Sequence, residues 1–293
     1  MTYRFIGISI AAALAAAAVS TAAAEGPKEL WTLGGFMHPE SVYEDKANKV
    51  LYVSNLNGAP TDKDGNGFIS KVSMDGKLEA LKWIEGGLNA PKGMVMNGNT
   101  LWVTDIDRLI EIDAKAGKIV NAYPAEGAIF LNDPAVDKDG VVYVSDIAAR
   151  KIWQLKDGKM AIWYGDDNLQ HPNGLRVEDG KLVVAGWGRG MGDDGSTKTP
   201  GNLFTIDLAT KELKDLGGGQ GIGNLDGLEK DAKGDYLVTD FMAGALYRIR
   251  ADGTHDTLLD LKQGSADLEL LDDGTTAVIP EMLEDRIQAF KLQ

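Results

Sequence analysis

Four oxygen-bearing side chains stand in similar sequence surroundings. Glu40, Asn132, Asn173 and Asp226 each lie next to Pro, Asp or Gly and shortly before a turn and an apolar run. Calcium takes six to eight oxygen atoms from carboxylates, amide carbonyls and water, so two carboxylates with two amides suit Ca²⁺. The same ligand types also suit another divalent cation. Each residue taken alone is equally typical of a turn, in which Asn and Asp side chains bond to their own backbone.

The elements that would bring these side chains together are repeated. One strand pattern, apolar or β-branched with a polar residue near its end, occurs six times, at residues 51–55, 101–105, 142–146, 182–186, 236–240 and 276–280. Successive copies start 40 to 54 residues apart, which is close to the spacing of β-propeller blades. A turn precedes each copy and a further strand pattern usually follows it, as in an antiparallel meander.

This repetition predicts an all-β protein, a six-bladed β-propeller of four-stranded antiparallel blades in one domain spanning residues 25–293. No segment after residue 24 has a sustained helical period. In a propeller the innermost strand of each blade lines a central channel, so equivalent residues at its start meet near the axis. Five of the six copies offer an oxygen-bearing side chain there, namely the four residues above and Asp267.

The N-terminus and the composition limit where the protein works and what it binds. Arg4, an apolar run over 5–18 and the alanines at 22–24 predict a signal peptide, residues 1–24, rather than a membrane anchor, and hence a periplasmic or secreted protein. The formal net charge of −14 disfavours nucleic acid and anionic membranes as partners. Cysteine is absent, which excludes disulfides and thiolate sites. A small-molecule partner is expected, and the oligomeric state is not indicated.

Several stretches, in their order along the chain, resemble the regucalcin/gluconolactonase family, also called the senescence marker protein family. They are residues 132–140 with 143–146, then 172–175, then 226–231. The resemblance covers essentially all of the chain after residue 24 and implies a calcium-dependent hydrolase of lactones or related esters. It implies Glu40, Asn173 and Asp226 as metal ligands and Asn132 as a fourth ligand or a substrate contact. Asp226 would also act as general base, activating water while the ion polarises the carbonyl.

The sequence departs from that family at two places. Phe130 stands where the sugar-lactone hydrolases of the family tend to have Arg, which predicts an apolar pocket, and Leu225 stands where Pro is usual. Two other functions remain open. The same ion and Asp226 would suit phosphotriester hydrolysis, and a non-catalytic propeller would bind a ligand or protein while calcium only stabilises it.

Three loop segments carry weaker signals. Residues 62–69 imitate the start of an EF-hand, but Ser73 replaces the closing Glu, so a hairpin loop is predicted. Residues 187–196 and 217–224 are Gly-rich loops without the strand-to-helix setting of a phosphate site. The second runs directly into Asp226 and is expected either to shape the pocket or to be a plain connection. A serine nucleophile is disfavoured, because no Gly-x-Ser-x-Gly motif occurs.

Overall fold

The computed structural model describes Met1 and residues 26–292, so the predicted signal peptide lies outside the described residues. Six antiparallel sheets of four strands each surround a central channel, which confirms the predicted six-bladed β-propeller. The first strand, β1 (Lys28–Gly34), belongs to the last blade. Among the described residues, no helix has the length and apolar character needed to cross a membrane.

The blades follow one another along the chain, and each runs from the channel outward. Blade one contains β2 (Pro39–Asp45), β3 (Val50–Asn55), β4 (Phe68–Ser73) and β5 (Leu78–Glu85), and blade two contains β6 (Pro91–Asn97), β7 (Thr100–Asp105), β8 (Arg108–Asp113) and β9 (Lys118–Pro124). Blade three contains β10 (Leu131–Val136), β11 (Val142–Asp146), β12 (Lys151–Lys156) and β13 (Lys159–Gly165).

The remaining blades differ in two details, an extra hairpin in blade four and a strand from the N-terminus in blade six. Blade four contains β14 (Pro172–Glu178), β15 (Lys181–Gly186), β18 (Leu203–Asp207) and β19 (Leu213–Asp215), and its β15–β18 connection carries the two-residue strands β16 (Gly188–Arg189) and β17 (Thr199–Pro200). Blade five contains β20 (Leu225–Lys230), β21 (Tyr236–Asp240), β22 (Ala245–Ile249) and β23 (His255–Asp260). Blade six contains β24 (Glu269–Leu270), β25 (Thr276–Glu281), β26 (Arg286–Lys291) and β1. Within residues 26–292, three short 3-10 helices lie in connections, namely Asp167–Leu169, Gly217–Gly219 and Met282–Glu284.

The core lies between the blades. Successive side chains of a strand point to opposite faces of its sheet, so Leu51 and Val53 of β3 pack against blade six while Tyr52 packs against blade two. Six apolar clusters of this kind fill the interfaces between neighbouring blades. Burying one such side chain contributes about 1.5–3 kcal/mol, and the interfaces hold the channel walls in place.

The two ends of the chain meet in blade six. β1 pairs antiparallel with β26, with Lys28 opposite Lys291 and Gly34 opposite Arg286. The circle of blades is therefore closed by backbone hydrogen bonds between residues that are almost the whole chain apart. This closure fixes blade six beside blade one and completes the channel.

Candidate functional site at the channel mouth

The candidate site residues occupy β-bulges in the innermost strands. In β2 the ladder to β3 passes from Pro39 opposite Asn55 to Val42 opposite Val53, so one extra residue is accommodated at Glu40 and Ser41. The same shift occurs in β6, β10, β14 and β20, at Lys92, Asn132, Asn173 and Asp226 with their following residues. A bulge redirects side chains and frees backbone groups from the ladder. This local irregularity lets the residues at its first position line a common cavity.

The repeated strand pattern supplies partners for the freed backbone groups. The N–H of Ser41 donates to Ser54 Oγ, that of Asp133 to Ser145 Oγ and that of Gly227 to Thr239 Oγ1, each at 2.9 Å. These hydroxyls come from the Ser or Thr near the end of the repeated pattern, on the second strand of their blade. The Ser or Thr of the motif therefore accepts a hydrogen bond from a backbone N–H that the bulge removes from the ladder. The motif thus marks both the second strand of the blade and the bulge in the strand beside it.

The strand register corrects the expected position of Asp267. Ser265 bridges Glu281 and Glu269 pairs with Val278, so blade six places Ala266 at the level of Glu40 and Asp267 at the level of Ser41. Ser41 and Asp267 are themselves bridged, and Ser41 Oγ donates to Asp267 Oδ2 at 2.6 Å. The prediction that Asp267 is equivalent to the four ligand candidates is therefore wrong. Asp267 and Asp133 form a second level, one residue further along the innermost strands.

A cavity of about 310 Å³ lies above the first level, and all four predicted site residues line it. Its base carries Glu40, Asn132, Asn173 and Asp226, each of which is less than 5 % exposed. The walls are mostly apolar and include Leu56, Phe130, Ile147, Trp187, Phe241 and Met282. The structure thus brings the four residues together in a space large enough for a small molecule.

Two other depressions do not combine these features. A cavity of about 200 Å³ at the second level is lined by Asp133, Asp267, Glu229 and Glu269 among others. A wider groove of about 1070 Å³ is lined by turns such as 137–140 and 156–158. Neither is lined by Glu40, Asn132, Asn173 or Asp226, so the cavity above the first level remains the candidate site.

Buried oxygen atoms without partners make the first level suitable for a cation. Glu40 Oε2, Asn132 Oδ1 and Asp226 Oδ1 are buried and have no hydrogen-bond partner among the described residues. Such atoms cost about 1–3 kcal/mol each when left unsatisfied, and more when charged. The described residues contain no group of three or more His, Asp or Glu side chains close enough to hold a metal, so a cation here needs the amide oxygens as well. The donor set fits Ca²⁺.

The two amides at the base are already in contact. Asn132 Nδ2 donates to Asn173 Oδ1 at 2.5 Å, while the buried side chain of Asn173 also interacts with Asp226 and opposes the rise in the pKa of that carboxyl. In this orientation Asn132 offers its oxygen to the cavity and Asn173 does not. A half-turn of the Asn173 amide would exchange its oxygen and nitrogen, and Asn173 would act as a metal ligand only in that second orientation.

Burial and like charge raise the proton affinity of the carboxyl groups. The pKa of Glu40 lies well above its usual range because of burial first, and then because of repulsion from Asp133, Asp226 and Asp267. Burial followed by repulsion from Asp267 raises the pKa of Asp226 in the same way. Burial therefore favours the protonated form of these carboxyls, whereas a bound cation would favour the ionised form.

Lys92 is a functional candidate that the sequence analysis missed. It occupies the bulge position of blade two, equivalent to Glu40, and its side chain is 1 % exposed although it lines the cavity. Its Nζ donates to Pro60 O and Ala90 O, both at 2.9 Å, and lies 4.6 Å from the centroid of the Phe130 ring. Phe130 does belong to an apolar wall, as predicted, but the ammonium group of Lys92 lies against the face of its ring. The signal available in the sequence was the repeat position that Lys92 shares with Glu40, although an ammonium offers no oxygen ligand to a metal.

Of the two Gly-rich loops, the first lines the cavity, which was not predicted, and the second does not. The cavity is lined by residues 191–193 and 195 of the first loop, which also holds the Trp187 indole through a 2.7 Å bond from Nε1 to Gly195 O. Residues 217–224 do not line it, so the second loop is a plain connection and not a pocket element. Residues 62–66 lie in the β3–β4 connection, as the predicted hairpin loop requires.

The histidines near the channel hold loops and do not face the cavity. His171 Nδ1 lies 2.8 Å from Ile147 O, and His38 Nδ1 lies 3.3 Å from Gly58 O. Both residues have positive φ at the start of an innermost strand, and neither lines the candidate site. Their matching positions in the repeat reflect this loop geometry.

Comparison with known proteins places the chain by fold. No family model and no curated protein matches it. A putative gluconolactonase structure aligns with a TM-score of 0.66 at 20% identity, covering 92% of this chain and 93% of its own. A gluconolactonase from Xanthomonas campestris aligns with a TM-score of 0.66 at 16% identity, covering 92% and 95%. A virginiamycin B lyase from Staphylococcus aureus aligns with a TM-score of 0.61 at 14% identity, covering 90% and 99%. At these identities the likeness shows a shared propeller fold.

Proposed function

We propose that the protein is a calcium-dependent hydrolase of a lactone or related ester with an apolar acyl group. The observation that carries the proposal is the base of the cavity, where two carboxylates and two amides from four blades present three buried oxygens without partners. Gluconolactonases are among the proteins with a similar fold, which supports the reaction class by analogy only.

In this proposal the residues at the base of the cavity bind the ion, and one of them also transfers a proton. Glu40, Asp226 and the amides of Asn132 and Asn173 would hold the ion, which supplies positive charge beside the substrate carbonyl. Asp226 would orient the attacking water and take its proton. The water oxygen forms a bond to the acyl carbon, the bond from that carbon to the alcohol oxygen breaks, and the proton passes to the leaving alcohol. Asn132 would position the substrate, and the apolar walls would exclude other water.

A carboxylate base fits this site better than a histidine. The chain has three histidines, none of which lines the cavity. A virginiamycin B lyase variant that lacks a histidine is described as catalytically inactive, so histidine-based lyase chemistry would need a group that this cavity does not show. Hydrolysis assisted by Asp226 needs only groups that line it.

The test combines metal removal with an isosteric substitution. Mature protein is assayed against γ- and δ-lactones and phenyl esters with added calcium and with chelator, beside Asp226→Asn and the control Asp139→Asn. Asp139 has a side chain that is 69% exposed. We expect chelator and Asp226→Asn to lower kcat/KM at least 100-fold, as loss of a general base does, and the control to behave as wild type. Calcium binding without turnover on any ester would support the non-catalytic propeller instead.

We also propose a periplasmic or secreted location, because residues 1–24 have the composition of a signal peptide. Expression of the full chain, followed by fractionation and N-terminal sequencing, tests this. Recovery outside the cytoplasm with Glu25 as the first residue is the expected result. A cytoplasmic protein that keeps Met1 would exclude it.

A further inference from the structure

The site contains a buried cation, Lys92, that interacts with the charges of Glu40 and Asp105 without touching a carboxylate. Lys92 Nζ donates two hydrogen bonds to main-chain carbonyls, Pro60 O and Ala90 O, and faces the Phe130 ring. Lys92 forms no ion pair within 4.0 Å with any carboxylate that the structure describes. Buried charges are ordinarily paired or bound to an opposite charge, so this ammonium is incomplete as a purely structural group.

The ammonium retains capacity for one further ligand. It has three N–H donors, and two of them are used by the carbonyl oxygens of Pro60 and Ala90. The third has no oxygen acceptor among the described residues. Burial lowers the pKa of Lys92 to about 8, while attraction to Glu40 and Asp105 opposes that shift, so the group is still mostly charged at neutral pH. An anion entering the cavity would complete the ion pair.

The surroundings limit the kind of anion. Glu40, Asp193 and Asp226 line the same cavity, and their repulsion of an anion grows with its charge, so a singly charged group is favoured over a doubly charged one. The Phe130, Trp187, Phe241, Leu56 and Ile147 walls offer no second cation and favour an apolar body. A phosphate monoester, which needs several donors, therefore fits poorly, whereas a carboxylate on an apolar group fits both the single donor and the walls.

We propose that Lys92 binds the carboxylate of a small apolar monocarboxylic acid in this cavity. The physiological role of this carboxylate binding rests on the proposed function, because hydrolysis of an ester or lactone releases such a carboxylate. Lys92 would then recognise the product acid, or an acid group already present on the substrate. The binding itself needs no turnover and can be measured separately.

The experiment compares two probes of nearly equal shape by titration calorimetry at neutral pH, phenylacetate and its uncharged amide, phenylacetamide. Wild type is expected to bind the carboxylate about 10- to 100-fold more tightly than the amide, the range of a charge-assisted hydrogen bond. Lys92→Met and Lys92→Gln should lose most of that preference. Lys138→Met, at a side chain that is 87% exposed, should keep it. Each titration is run with calcium and with chelator to separate Lys92 from the ion.

The outcomes separate this inference from the proposed function. Carboxylate preference that depends on Lys92, in a protein without hydrolytic turnover, supports the anion site and not the hydrolase. Unchanged preference in both Lys92 variants, with native circular dichroism, would overturn the anion site whether or not the protein is a hydrolase. Absence of binding of either probe to wild type would overturn it as well. Lys92→Gln can still donate to the main-chain carbonyls, so it guards against misfolding of the Met variant.

Discussion

Mild acid should stabilise the metal-free protein, because buried carboxyl groups meet at the channel axis. Burial raises the pKa of Glu40, Asp133, Asp226 and Asp267, and their mutual repulsion raises it further. At a pH between the ordinary carboxyl pKa of about 4 and the raised pKa values, the folded chain keeps protons that the unfolded chain has released. Their stabilising contribution is therefore full below about pH 4 and is lost as the pH rises through the raised pKa values.

The size of the effect follows from proton linkage. A single carboxyl that stays protonated only in the folded state across two pH units changes the free energy of unfolding by about 2.7 kcal/mol. For a domain of this size 1 kcal/mol moves the Tm by about 2–4 °C. We therefore expect the Tm in chelator to be higher near pH 5.5 than near pH 7.5, by differential scanning calorimetry; one carboxyl that kept its proton across that whole range would account for about 5–10 °C.

Two controls separate the axial carboxyls from general charge repulsion, which also weakens as an acidic protein takes up protons. Glu40→Gln should raise the Tm in chelator near pH 7.5 and reduce its dependence on pH, whereas Asp139→Asn should leave that dependence unchanged. Saturating calcium should reduce it too, because the cation favours the ionised groups. A metal-free Tm that is flat or falls on acidification would refute this reasoning. So would an equal pH dependence in the two variants.

Three further outcomes are expected. Calcium at about 1,000 times its Kd should stabilise the protein by about 4 kcal/mol and raise the Tm by about 8–16 °C; no shift in a thermal melt would exclude the metal site. Phe130→Arg should raise KM for phenyl esters about tenfold and increase sugar-lactone turnover, since it adds a polar group to the apolar wall; steady-state kinetics that show neither change would contradict the role of Phe130. Gly174→Ala should cost about 1–3 kcal/mol in urea unfolding, because a Cβ there would lie 2.2 Å from Asp226 O. Gly34→Ala, with 3.9 Å to the nearest atom, is its control.

The sequence predicted the propeller well because blades are local. Most blades are continuous hairpin-connected meanders, so a strand pattern and its turn repeat together, as residues 101–105 and 142–146 show. The same repetition placed Glu40, Asn132, Asn173 and Asp226 at one cavity, since equivalent positions in a closed ring are neighbours in space. This part of the site needs only periodicity.

The rest depends on register and on contacts between blades. Asp267 is displaced by one residue from its expected level, because blade six reaches its ladder through Ser265 and a two-residue β24. Lys92 shares the repeat position of Glu40, but the hydrogen bond from its Nζ to Pro60 O, in a loop of blade one, does not follow from that position. A one-residue shift and a bond between two blades leave no periodic trace, so sequence patterns alone could not supply them.

The pairing of β1 with β26 also sets an order of events in the life of the chain. Blade six needs residues 28–34 and 286–291 together, so the ring cannot close during synthesis until the last strand has been made. Until residues 286–291 have been made, the first strand lacks the partner that it has in the finished blade. The cavity, which Met282 of the same blade helps to line, takes its final shape only in the closed ring.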